Sequence, residues 1–474
     1  MPVSDRFCPS RAHEELGPDF FDPVAAADFP AHQLRYRNDR AAGEVGLEQL
    51  TDAEWVNHFG RFEPLPDTFP EPLALRYHGH QFRSYNPDLG DGRGFLFAQL
   101  HDQAGRLMDL GTKGSGQTPW SRSGDGRLTL KGGVRELLAT SMLEALGVPT
   151  SRTFSLIETG EALMRGDEPS PTRSSVLVRL SHSHIRIGTF QRLAYLEDHD
   201  NVRRLLDHLV QHYFPDCRRD EEGAQALAVL GAIAKAVAET GAAWMAAGFV
   251  HGVLNTDNIN VTGESFDYGP WRFLPVLDPA FVAAYFDQFG LYAFGRQPET
   301  LLWNLARLAE CLLPFTSQEE LEQVVRLFPE LYREAFDRQL VRRLGLKSRG
   351  AAADRALAEA FWRFLAGSAM PFEQAFFDCF GGGAQSKHAA GGSHAAQYQS
   401  EAFAPVRDAL EGYEPADPAL LEQDFFRRSA PVTMLIEDVE RLWRSIDEDD
   451  DWAPLRHRLA EIEAMLVAYG LDRR

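Results

Sequence analysis

HGVLNTDNINVTGESFDYG, residues 251 to 269, sets Asp257 and Asn258 side by side and brings in Asp267 ten positions later. A divalent cation such as Mg²⁺ wants oxygen ligands in near-octahedral geometry and takes only one or two of them from protein. Asn258 and Asp267 meet that demand, and Asp257 adds a second carboxylate to the same loop. Taken alone, Asn255, Asp257 and Asn258 also read as capping and turn residues, a role their side chains serve equally well.

The pattern that separates these readings is positional. In kinase-type phosphotransferases a loop H-G-D-x-x-x-x-N supplies a base Asp and a metal-binding Asn, and a following strand ends in D-x-G, whose Asp holds Mg²⁺. Here His251, Gly252 and Asn258 stand at the expected places and Asp267-Tyr268-Gly269 supplies the second metal ligand. Val253 stands where the catalytic Asp belongs, so ordinary phosphate transfer is in doubt; Asp257 offers a displaced carboxylate.

Working outward, GFLFAQL, HDQAGR and LMDLGTK between Gly94 and Lys113 read as two strands joined by a turn containing Gly105. A glycine-rich loop follows from Gly114 to Gly126, and then VRELLATSMLEALG, with Leu137, Leu138, Met142, Leu143 and Leu146 at helical spacing and a stop at Gly147. Lys113 at a strand end and Glu136 opening a helix match the ion pair that positions ATP phosphates in kinases. The turns G-D-G-R-G (90–94) and G-D-G-R (124–127) let backbone N–H groups approach phosphate, each with an arginine attached, and no G-x-x-x-x-G-K-[ST] loop is present. Arg179 and Arg186, seven apart, suit bidentate oxyanion contacts. His182, His184, His78 and His80 alternate with other residues and read as surface or loop positions, outside the catalytic set.

The rest of the chain bounds the answer. Its 474 residues exceed one simple core, and 44% hydrophobic with 25% charged residues is ordinary for a globular protein. A formal charge of -21 argues against a general nucleic-acid footprint, so an anionic ligand needs a local basic cluster: Lys113, Arg122, Arg127, Lys131 and Arg135 in one stretch, Arg173, Arg179, Arg186 and Arg192 in another. Cys8, Cys217, Cys311 and Cys379 lack C-x-x-C spacing and imply neither zinc site nor disulfide framework. No h-region opens the chain and no run of 18 apolar residues occurs, which reads as cytoplasmic and not membrane-bound. Strands are expected around SRTFSLIET and SSVLVRL, and helices at 228–248, 300–315 and 318–344. GGGAQSKHAAGGSH (381–394) reads as a flexible loop and DEDDD (447–451) as a solvated acidic turn before a last helix. The fold class is therefore α+β, a small β-rich lobe followed by a mainly helical one, as in a bilobal protein kinase.

YHGHQFRSYNPDLGDGRG (77–94), DLGTKGSGQTPWSRSGDGR (109–127), HIRIGTF (184–190), GFVHGVLNTDNINVTGESFDYGPW (248–271) and GRQPETLLWNLARLAECLLP (295–314) closely resemble the selenoprotein O family, over about residues 70 to 315. The resemblance implies a pseudokinase fold with ATP inverted, so that AMP rather than phosphate passes to Ser, Thr or Tyr of a protein and pyrophosphate leaves. It implies Asp257 as general base, Asn258 and Asp267 as ligands of Mg²⁺ or Mn²⁺, and Gly90, Gly92, Arg93, Lys113, Asp125, Gly126, Arg179, Arg186 and Asp267 around ATP, with Glu136 pairing Lys113. An inverted nucleotide also accounts for Val253, because the reacting phosphorus has moved. Many relatives carry a redox pair of cysteine or selenocysteine near the C-terminus and cysteine after D-Y-G-P; this sequence ends GLDRR and has Ala283 and Ala284 there, so that gating is not expected.

The expected organisation is an N-terminal arm (1–75) packed on the core, a nucleotide-binding small lobe (76–195), a helical lobe (196–380) with the catalytic and metal loop at 251–270, and a loop with helical extension (381–474). The expected partners are ATP and protein substrates, with neither nucleic acid nor membrane. An atypical kinase-like phosphotransferase and a nucleotide-binding regulatory pseudokinase are the competing functions.

Overall fold

The computed structural model describes residues 3–166, 168–382 and 392–471. Most of the loop expected at 381–394 and the three residues at 472–474 lie outside the described residues.

Two long strands, β10 (Arg152–Leu163) and β11 (Thr172–Ser181), pair antiparallel within a nine-stranded sheet. Side chains along a strand alternate between faces, and both faces here are covered. Leu156 and Leu177 pack under α3 (Leu130–Ala145) against Leu137, whereas Phe154, Val176 and Val178 join Trp55, Phe59 and Phe97 on the other face. Beside β11 runs the expected hairpin, β7 (Leu96–His101) and β8 (Leu107–Lys113), turned at Asp102–Arg106 with Gly105 at φ +77°. Helix α3 begins earlier than its apolar spacing alone indicates, because the Thr129 hydroxyl accepts the Gly132 N–H and caps it.

Residues before position 76 do more than lie over the core as an arm. Strands β1 (Pro9–Ser10), β2 (Phe21–Pro23), β3 (Gln33–Arg37) and β4 (Leu73–Leu75) enter the sheet itself: β1 pairs β7, β2 pairs β4, β4 pairs β7 and β3 pairs β10. Helices α1 (Asp39–Glu44) and α2 (Asp52–Phe59) follow β3, and the Trp55 indole donates to the Ser155 hydroxyl at 2.9 Å.

The second half is helical. Helices α4 (Ile187–Tyr195) and α5 (His199–His212) lead to α6 (Glu222–Ala246), which is long and apolar enough to cross a membrane but is largely buried by protein, packed on α7 (Gln297–Glu310), α8 (Gln318–Arg326) and α9 (Phe328–Arg343). The periodic stretch 318–344 is two helices, because Pro329 lacks the N–H that a continuous helix needs in its interior. Helices α10 (Ala351–Ser368) and α11 (Phe372–Cys379) build a further apolar cluster.

Helices Ile436–Asp449 and Ala453–Tyr469 return to pack on α3. The acidic run between them is not simply solvated. Asp450, at φ 48°, accepts from Arg173 at 2.7 Å and from Arg35 at 3.1 Å, and both arginines also hold Glu158 on β10.

Candidate active site

Loop 251–267 is fixed from three directions by hydrogen bonds that its amides and hydroxyls dictate. The His251 N–H donates to the Gln297 side chain at 3.0 Å, and the Asn304 amide donates to Leu254 O at 2.9 Å, both from α7. Asn255 Oδ1 accepts from Phe82 N at 3.1 Å and from the Tyr292 hydroxyl at 2.6 Å. Thr256 donates to Gln191 of α4 at 2.6 Å and accepts from His80 N at 2.7 Å. These last contacts bring in the small hairpin β5 (Gly79–Gln81) and β6 (Ser84–Asn86). Asp257 and Asp267 are thereby aimed into a cavity of about 670 Å³ between the loop and the sheet.

The sheet side of that cavity is a charge network. Lys113, at the end of β8, pairs with Glu136 of α3 and lies 2.7 Å from Asp267 Oδ1. Arg179 of β11 lies 3.5 Å from Asp267 and 3.8 Å from Glu136. Lys113, Glu136 and Arg179 are all buried. Asp267 sits in the left-handed region at φ 64°, a conformation that costs energy for a residue with a Cβ. Burial alone would raise its carboxyl, but the charges of Lys113, Arg179 and Arg93 outweigh that and hold it well below the ordinary range.

The floor is different. Asp257 is buried, and its Oδ1 has no hydrogen-bond partner. Burial pushes its carboxyl up to about 7 against the pull of Arg186. Arg186 stacks over Tyr77 at 4.1 Å, donates to Asp257 O at 3.3 Å and lies 3.5 Å from Asp91.

A glycine-rich rim closes the cavity. Thr118 and Ser121 donate to Asp91 O and Gly92 O, each at 2.5 Å, lacing the 90–94 turn to the 114–126 loop. Gly126 is required on two counts: its φ is +70°, and an added Cβ would meet Gly116 O at 2.2 Å. At Gly90 the side that a Cβ would occupy is filled by the Trp120 ring, 2.4 Å away.

Gly90, Gly92, Arg93, Lys113, Asp125, Gly126, Arg179, Arg186, Asp257 and Asp267 all line this cavity. Glu136 stands behind it as the partner of Lys113, and Asn258 stands beside it with its amide donating to Val253 O at 3.0 Å. Asp125 is bound by Arg165 at 2.7 Å, so within the rim it anchors the loop. The basic clusters divide: Arg122 and Arg127 line the cavity, but Lys131 pairs with Glu440, Arg135 stacks on Trp271, Arg173 joins Glu158 and Arg192 donates to Asp19 O.

Two groups of histidines correct the expectation from spacing. His184 is buried, 3.3 Å from Asp109 and accepting from Arg179 Nε at 3.2 Å, so it orients a cavity arginine. His78 is buried too, within 2.7 Å of the Tyr85 hydroxyl, and His80 bonds Gln191. Spacing also missed Tyr77, Asp91 and Trp120; the one available signal was that Asp91 lies inside G-D-G-R-G.

The contents suit a polyphosphate with a divalent cation. Arg93, Lys113, Arg179 and Arg186 share one cavity with Asp257 and Asp267, and buried Arg179 Nη1 and Asp257 Oδ1 lack hydrogen-bond partners. Buried polar atoms ordinarily find partners, and phosphate oxygens on one side with a metal or hydroxyl on the other would supply them.

The family model described as protein adenylyltransferase SelO matches residues 7–463. The chain is 42% identical to protein nucleotidyltransferase YdiU of a Synechocystis species, over 96% of this chain and 97% of that protein. It is 44% identical to the same-named protein of Gloeobacter violaceus over 94% and 92% of the two chains. Against that of Synechococcus elongatus the identity is 52% over 71% and 68%.

Proposed function

The chain belongs to the protein adenylyltransferase SelO family, and from that premise we propose that it moves AMP from ATP to Ser, Thr or Tyr hydroxyls of proteins. It is a nucleotidyltransferase, with nucleotide and protein as substrates. The fold in this proposal is a kinase-like bilobal one, small lobe 76–195 and helical lobe 196–380, working in the cytoplasm; the strand pairs β7–β8 and β10–β11 before α4 and the helices after it support the division. Four free cysteine thiols support a reducing compartment.

The observation that carries the proposal is the single cavity in which Lys113, Arg179, Arg186 and Arg93 face Asp257 and Asp267. In it, Lys113, Arg179 and Arg186 bind and orient the triphosphate, and the Glu136 pair keeps Lys113 extended toward it. Asn258 and Asp267 would hold Mg²⁺, or Mn²⁺ in its place; the ion supplies charge neutralisation across the phosphates. The acceptor hydroxyl oxygen forms a bond to the α-phosphorus. Its proton passes to Asp257, and the bond from the α-phosphorus to the bridging oxygen breaks, with the electron pair leaving on pyrophosphate. Asp257 serves this role by position: it lines the cavity, and Val253 offers no competing carboxylate.

The test is incubation with Mg²⁺ and ATP labelled at the α- or the γ-phosphate, for the intact chain and for Asp267→Ala. Protein-bound label from α alone, falling on the order of 10³-fold in the variant, is expected. Label from γ alone would replace this reading with a phosphotransferase. Nucleotide binding with neither label would replace it with a regulatory pseudokinase.

A further inference from the structure

We propose that Glu15, His208 and His212 form a second, separate site for a divalent transition-metal ion of the zinc class, which clamps the N-terminal segment to α5. His208 and His212 are one turn apart, so both imidazoles leave the same face of α5. Glu15 belongs to a short helical turn, Ala12–Leu16, held across that face by the Arg204 guanidinium donating to Leu16 O at 3.1 Å and by His13 N donating to Gln99 at 2.8 Å. One ligand atom from each of the three residues lies within 4.8 Å of the others.

Two features separate this group from an ordinary core pair of histidines. His208 is only 6% exposed, yet its Nε2 has no hydrogen-bond partner, and the same holds for the buried Nε2 of His212. Buried polar atoms ordinarily find partners. The His212 Nε2 to Glu15 Oε2 distance is 3.6 Å, too long for a hydrogen bond. It is close to the roughly 3.3 Å that separates two ligands, each ~2.05 Å from a tetrahedral zinc ion.

The donor set selects the ion. Two imidazoles and one carboxylate with an open position suit zinc or cobalt, whereas Mg²⁺ and Ca²⁺ prefer all-oxygen shells. His13, 3% exposed with both ring nitrogens unbonded, borders the group at 6.3 Å between ring centroids. None of these residues lines the nucleotide cavity.

The full chain, stripped with chelator and titrated with Zn²⁺ or Co²⁺, tests this. One equivalent is expected to bind in wild type and in Asp267→Ala alike, with the visible absorption of tetrahedral Co²⁺ and a rise in Tm. Glu15→Gln and His212→Ala change an exposed and a half-buried side chain, so they leave folding intact. Each is expected to weaken binding at least about tenfold and to abolish the Tm rise. Absence of stoichiometric binding in wild type would overturn the site. So would binding that survives in both variants, or binding that disappears in Asp267→Ala instead, which would assign the ion to the nucleotide cavity.

Discussion

The sheet wall of the nucleotide cavity and its loop floor are built from the same kinds of residue in opposite states. On the wall every charge has an opposite: Lys113 bridges Glu136 and Asp267, and Arg179 approaches both carboxylates. On the floor, Asp257 Oδ1 is buried without a partner. One carboxyl is driven well below the ordinary range and the other up to about 7, within a single cavity. Two carboxyl groups pushed apart in this way are suited to different tasks. The ion-paired wall holds shape, and Asp257 keeps an oxygen without a hydrogen-bond partner.

That contrast breaks if Asp257 is structural or if the wall is dispensable. Asp257→Asn keeps the shape but loses the basic oxygen; AMP transfer is expected to fall on the order of 10³-fold while nucleotide binding and Tm stay near wild type. A matching drop in Tm would make Asp257 a scaffold residue. Glu136→Gln should do the reverse to stability, lowering it by about 3 kcal/mol because Lys113 loses a buried partner; chemical denaturation reads this directly. Equal stability of the variant and wild type would mean that Asp267 alone satisfies Lys113.

The smallest effect sharpens the comparison from outside the cavity. Asp450 is drawn down to about 2 from the ordinary 3.8 by its hydrogen bonds to Arg173 and Trp452 and by Arg35. Its side chain is 54% exposed, so solvent screens the gain. A depressed carboxyl stabilises the fold above its unfolded pKa and loses that contribution as pH falls through the folded one. Asp450→Asn is therefore expected to cost about 0.5 kcal/mol at neutral pH, with the gap to wild type closing as pH drops below about 4.

What the sequence disclosed follows the range of the interactions involved. The β7–β8 hairpin and α3 were legible because a turn with Gly105 and an apolar period ending at Gly147 are local signals. Strands β1–β4 were not, because each is two to five residues long and takes its partner from far along the chain, as Gln33 does from Glu158. The cavity carboxylates were legible because one loop carries both. His184 was misread for the opposite reason: its burial depends on Asp109, 75 positions earlier, and alternating histidines look alike whether they meet water or an aspartate.

The contact of Arg35 with Asp450 spans 415 positions. At about 5–20 residues per second of synthesis, the arginine waits on the order of 20 to 80 seconds for its partner. Until then β3 lacks its far anchor and α3, which presents Glu136 to Lys113, lacks the helices that back it. A chain cut short before residue 436 would carry every group that lines the nucleotide cavity and neither of the two helices that back α3.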